Sequence, residues 1–135
     1  MVVFGGHVGS TVPYSGFSNS SWSLSLGLNP TWMPLTTTGT PPTADHPYVA
    51  IDDEPRHRMI VLDGTVPQVW QLPLESYEWS SLATSSPPSP GTPWGAMYDP
   101  SRQQHVGLRS AQRRRTGTGM GAHAQRYSSL VFSDY

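Results

Sequence analysis

Five histidines, His7, His46, His57, His105 and His123, are the residues of this chain best suited to acid–base or metal chemistry. They show no close metal-ligand spacing, and each reads as a solvent-exposed loop residue. Asp52-Asp53-Glu54 is the densest acidic group, with Glu75 beyond it. Followed by Pro55 and set between two apolar runs, it reads as a turn whose Asp side chains accept nearby backbone N–H groups. A calcium ion would need more oxygens than these. Six of the eight arginines fall between Arg102 and Arg126, and there is no lysine. Arg113-Arg114-Arg115 could meet an anionic surface, but it also fits a solvated tail. The net charge of −1 does not suit a nucleic-acid partner. Thr116 to Gly121 is glycine-rich, yet no strand pattern precedes it and no helix pattern follows, as a dinucleotide site requires. With no cysteine there is no disulfide framework, thiolate metal site or thiol nucleophile. The expectation is a non-enzymatic chain with no catalytic, cofactor or metal residues.

The elements that carry these residues are short. Gly and Pro number 13 and 14 in 135 residues, enough to interrupt long helices. Trp, Tyr, Ser and Thr are frequent, which suits strands joined by turns. No stretch approaches the roughly 18 apolar residues of a membrane helix. The N-terminal run Met1 to Gly6 lacks the charged and apolar regions of a signal peptide.

An internal repeat organises the chain. Trp32-Met-Pro-Leu35 returns 47 residues later as Trp79-Ser-Ser-Leu82, and Trp22-Ser-Leu-Ser-Leu26 returns 48 residues later as Trp70-Gln-Leu-Pro-Leu74. Tyr48-Val-Ala-Ile-Asp52 returns as Gly95-Ala-Met-Tyr-Asp99, again 47 residues on. Met1-Val-Val-Phe-Gly-Gly6 returns as Met59-Ile-Val-Leu-Asp-Gly64 after 58 residues, the excess lying in a Gly/Ser-rich loop, 7–21. Each unit then has four strands. The Met-Val-Val-Phe run is apolar throughout, as a strand buried on both faces should be. Trp22 to Leu26 alternates at period two. Trp32 to Leu35 is a third strand and Pro47 to Ile51 a fourth.

Four strands per unit and this period resemble the Kelch repeat, whose units stack as blades around the axis of a β-propeller. The glycine pair Gly5-Gly6, the aromatic-led strand at Trp22 and the second tryptophan at Trp32 carry the resemblance, with Gly64, Trp70 and Trp79 as their counterparts. The second doublet departs from the pattern as Asp63-Gly64. The fold class implied is all-β: a partial β-propeller of two four-stranded antiparallel Kelch blades with an irregular C-terminal tail. The units would span 1–52 and 53–105, and the tail 106–135. The resemblance implies a non-catalytic binding or protein-interaction module, with a protein or carbohydrate partner reached through the propeller loops. The alternative is a truncated, non-catalytic piece of a galactose oxidase-like or carbohydrate-active propeller enzyme. Resemblance to galactose oxidase itself would imply a copper site of tyrosine and histidine ligands with a tyrosine cross-linked to a cysteine, and this chain has no cysteine.

A parent of six or seven blades would need roughly 280 to 330 residues, so the reading implies blades missing at both ends, with Met1 falling inside one. Adding the period to Met59 calls for an apolar strand near 106, but the chain reads Val106-Gly-Leu-Arg109 and turns arginine-rich. A shifted reading frame in a GC-rich gene would do this, giving a product without function, as would natural divergence. Read one base later, the codons of Met120-Gly121 necessarily encode tryptophan. The repeat predicts equivalent positions for Trp22 and Trp70, and for Trp32 and Trp79, in two similar antiparallel sheets.

Overall fold

A computed structural model describes residues 1–9, 16–45, 47–63, 66, 68–84, 93–110 and 127–132. The fold is all-β, as the composition implies, and no helix among the described residues is long and apolar enough to cross a membrane. Among the described residues, three sheets of three or more strands carry the fold. The first is antiparallel in the order β1 (Val2–Phe4), β4 (Ser21–Leu24), β5 (Trp32–Pro34). Its 7–21 connection holds a small ribbon of β2 (His7–Val8) and β3 (Gly16–Phe17). The central sheet runs β7 (Tyr48–Asp53), β8 (Arg58–Asp63), β9 (Val69–Pro73), β10 (Glu78–Leu82), all antiparallel. The third is β11 (Pro93–Asp99), β12 (Gln104–Ser110), β13 (Tyr127–Phe132).

The cross-strand registers of the first two sheets are copies of one another. Val3 pairs with Trp22 as Val61 pairs with Trp70. Trp22 pairs with Pro34 as Trp70 pairs with Ser81. Because side chains alternate at period two, Trp22 and Trp70 hold equivalent positions, and so do Trp32 and Trp79. Burial is not equivalent. Trp22 and Trp32 are 41% and 50% exposed, whereas Trp70 and Trp79 are 9% and 3% exposed.

The difference follows from stacking. One face of the central sheet, Met59, Val61, Trp70, Leu72 and Trp79, packs against Phe4, Val2 and Leu35 of the first sheet and the segment beyond it. The Phe4 ring lies 4.8 Å from that of Trp79 and 5.6 Å from that of Tyr48, both tilted, an arrangement aromatic pairs favour. The other face, Ile51, Ile60, Leu62 and Val69, packs against Ala96 and Tyr98 of the third sheet. Strand β8 is therefore buried at all six positions, and its middle residues Met59 to Leu62 are apolar without alternation. Each fully buried aliphatic side chain there contributes about 1.5–3 kcal/mol.

Three sequence expectations need correction. The strand beginning near Tyr48 does not complete the first unit; it opens the central sheet. Only a short turn separates it from β8, with Glu54–Arg56 in a 3-10 turn and His57 left-handed at φ 49°. Strands joined by so short a turn pair as antiparallel neighbours, whereas a longer loop precedes Tyr48. By the same logic β11 opens the third sheet, so among the described residues the flanking sheets have three strands each rather than four. The recurrence of the Asp strand is also one residue shorter than expected. Asp53, not Asp52, corresponds to Asp99, 46 residues on, and each precedes a turn that ends in a left-handed residue, His57 or Gln103. Finally, the tail expected to be irregular from 106 contains strand β12 through Ser110 and strand β13 at Tyr127–Phe132. Backbone pairing continues there although the apolar pattern lapses. Arg113 to Gly121 lies outside the described residues.

A fifth strand, β6 (Thr38–Gly39), pairs in parallel with β10 and covers the outer edge of the central sheet, an edge that would otherwise be open to other chains. Gly39 has φ 74°, and a Cβ there would sit 2.2 Å from the Trp79 carbonyl oxygen. Gly39→Ala is expected to detach β6 and destabilise the chain by more than about 1 kcal/mol. Denaturant unfolding measures it; an unchanged midpoint would show that β6 does not hold this edge.

Candidate functional site

Two turns occupy the same end of neighbouring sheets, and the polar residues gather beside them. Asp53, the last residue of β7, is fully buried. Arg58 Nε donates to its Oδ2 at 2.7 Å, and Arg56 Nη1 donates to its Oδ1 at 3.2 Å. Arg58 Nη1 also donates to Gln71 Oε1 at 2.6 Å, and Gln71 Nε2 donates to Ser80 Oγ at 3.2 Å. A polar row thus crosses β7, β8, β9 and β10 on the face that meets the third sheet. From that sheet His105, also fully buried, brings Nε2 to 3.7 Å from Asp53 Oδ2, its ring 5.1 Å from that of Tyr98.

The turn read for Asp52-Asp53-Glu54 is thus displaced by one or two residues. Asp52 and Asp53 end the strand, and Asp53 accepts guanidinium N–H groups. Asp99 is the residue that caps backbone. Its Oδ1 accepts the N–H groups of Ser101 at 2.9 Å and Arg102 at 3.3 Å, and its Oδ2 accepts Arg102 Nη1 at 2.7 Å. Asp53 with Arg56 and Asp99 with Arg102 are one motif at a 46-residue interval, a signal present in the sequence. The Arg102 guanidinium, followed by the backbone donors of Ser101 and Arg102, holds the Asp99 carboxyl below the usual carboxylate range.

Between the two turns lies a cleft of 360 Å³ whose walls include Ile51, Ala96 and Tyr98, with Asp52 and Glu54 at its rim. Both acidic residues are exposed. This arrangement can receive a ligand with apolar surface and polar or cationic groups. Among its described lining residues no nucleophile is paired with a base.

The histidines are not all loop residues. His105 lies in β12 and is buried; His7 lies in β2 with its ring 4.7 Å from Phe17; His57 is exposed in its turn. His46 and His123 lie outside the described residues. Among the described residues no group of three or more His, Asp or Glu side chains is placed to hold a metal ion. Gly5 and Gly6, at φ 76° and 113°, turn the chain out of β1, with Gly5 N–H donating to Ser20 O at 3.0 Å and Ser18 N–H to Gly6 O at 2.9 Å. Their counterpart Gly64 lies outside the described residues. Asp63 beside it is buried, and its Oδ1 accepts the Val66 N–H at 3.3 Å.

Removing one member of a buried ion pair strands the other charge. Asp53→Ala is therefore expected to cost about 3–5 kcal/mol, and Asp53→Leu combined with Arg58→Met far less. Denaturant unfolding of both decides, and equal losses would contradict a buried pair. For Asp99 the folded-state pKa is depressed, so its pairing stabilises the fold above the unfolded pKa and is lost as pH falls through the folded value. An NMR titration should place the Asp99 carboxyl below ordinary aspartates, and Arg102→Gln should move it upward. No upward movement would exclude Arg102 as the cause.

Compared with protein-family models, with curated proteins and with solved structures, the chain matches none.

Proposed function

We propose that the chain is a section of a Kelch-type β-propeller and serves as a non-catalytic binding module. The observation that carries this reading is the shared register of the first two sheets, in which Val3, Trp22 and Trp32 recur as Val61, Trp70 and Trp79 with the same strand partners. Sheets repeated and stacked face to face are how propeller blades are built, and in such folds the connecting turns carry recognition. Fold alone does not assign a ligand, so the proposal is placed on the turn-lined cleft. Its apolar wall and two rim carboxylates suit a protein segment, or a carbohydrate whose hydroxyls donate to Asp52 and Glu54 while a ring face lies on Tyr98.

The test titrates the chain with a set of basic-apolar peptides and a set of neutral oligosaccharides, read by NMR shifts. Saturable binding by one set is expected, with shifts confined to residues 51–57 and 96–103. Asp52→Arg with Glu54→Arg should weaken it at least tenfold, since both side chains are exposed and the fold does not depend on them. Binding unaffected by that change, shifts elsewhere, or chemical conversion of the ligand would overturn the proposal.

A further inference from the structure

The stack leaves one apolar face of the first sheet open. Val3 is paired with Trp22, and Trp32 shares their face through its pairing with Leu24; all three of Val3, Trp22 and Trp32 are among the large exposed hydrophobics. Their counterparts Val61, Trp70 and Trp79 are buried, because the far side of the first sheet covers them. The open face is thus a second copy of a surface that this fold already buries against a sheet.

The complementary surface is at the other end of the stack. His105 and Gly107 are buried toward the central sheet, so Val106 between them belongs to the opposite face of β12. Met97 pairs with Val106 and is 62% exposed. Met97 and Val106 fall 46 residues after Ile51 and Ile60, which are buried under the third sheet. Within the chain, the face bearing Ile60 meets the following sheet, and the face bearing Trp70 meets the preceding one. One end of the chain therefore presents a face that expects a following sheet, and the other a face that expects a preceding sheet.

We infer that a second copy of this chain covers the open face: the Met97 and Val106 face of one copy seats on Val3, Trp22 and Trp32 of the next. The joint continues the sheet-on-sheet step made twice inside the chain, and both of its halves are present on every copy. Such a head-to-tail contact is heterologous, so it closes into a ring where the rotation per step allows and otherwise extends. The inference rests on the stack itself and not on the cleft as a binding site.

The test is sedimentation equilibrium of the full chain over a hundredfold range of concentration, beside Trp22→Arg/Trp32→Arg and Met97→Arg. These side chains are exposed, so the folded sheet content by circular dichroism should be unchanged; Val3→Glu is a second block of the first face. Wild type should gain mass with concentration. Each variant should remain a monomer at concentrations at least tenfold higher. An equimolar mixture of the Trp and Met variants should form a species of two chains and no more, because each supplies the face the other lacks. A monomeric wild type overturns the inference. So does a mixture that stays monomeric, since each variant keeps the face the other lacks. So does association of the variants equal to wild type.

Discussion

The central sheet is packed on both of its faces, and the rest of the structure answers to that. Strand β8 is buried at every position, so both of its sides must be covered by other strands of the chain. Phe4, Val2 and Leu35 cover one side, and Ala96 and Tyr98 the other. A sheet that needs cover on both sides cannot end a stack without exposing what it was built to hide. The first sheet inherits that condition: it uses the same cross-strand pairs yet has cover on only one face, and its tryptophans remain open. Small domains sit close to the balance between burial and chain entropy, so an uncovered apolar face weighs heavily in a chain of this length.

The buried charges work within the same constraint. Asp53 and Arg58 lie at the end of an otherwise apolar interface, where an unpaired charge would be costly and a matched pair with Gln71 and His105 is tolerated. Their position adjoins the turn, and the Asp-to-Arg turn recurs between β11 and β12. There it is exposed: Arg102 is 74% accessible, so solvent screens its ion pair and the backbone contacts made by Asp99 matter more. One local device thus serves as a buried anchor in one sheet and a surface turn in the next, according to what packs against it.

Much of the fold was legible in the sequence where side-chain type and strand position coincide. The recurring tryptophans located strands β4, β5, β9 and β10 and their equivalence, because a large ring at a fixed cross-strand position is hard to replace. The grouping of strands into sheets was not legible from apolar pattern: the Tyr48 strand looks the same whether it ends one unit or begins another, and the length of the following turn decides. Strand β12 was missed because His105 and Gly107 stand where β8 has Met59 and Val61. Backbone hydrogen bonds keep the register there while the apolar signal fades. The Asp53 and Arg58 pair was hidden for a related reason, since both residues read as turn polarity until β12 is placed against them. Aligning Asp52 rather than Asp53 with Asp99 is a slip of one residue, which in a strand exchanges the two faces.

Hydrogen exchange tests the stack most directly, since protection reports how far a strand must open before its amides meet solvent. The account predicts the slowest exchange at Ile60, Val61 and Leu62 of β8, and markedly faster exchange at their register-equivalents Val2, Val3 and Phe4 in dilute monomeric chain. Equal protection in the two strands, or protection greatest in the first sheet, would contradict a fold organised around a doubly covered central sheet.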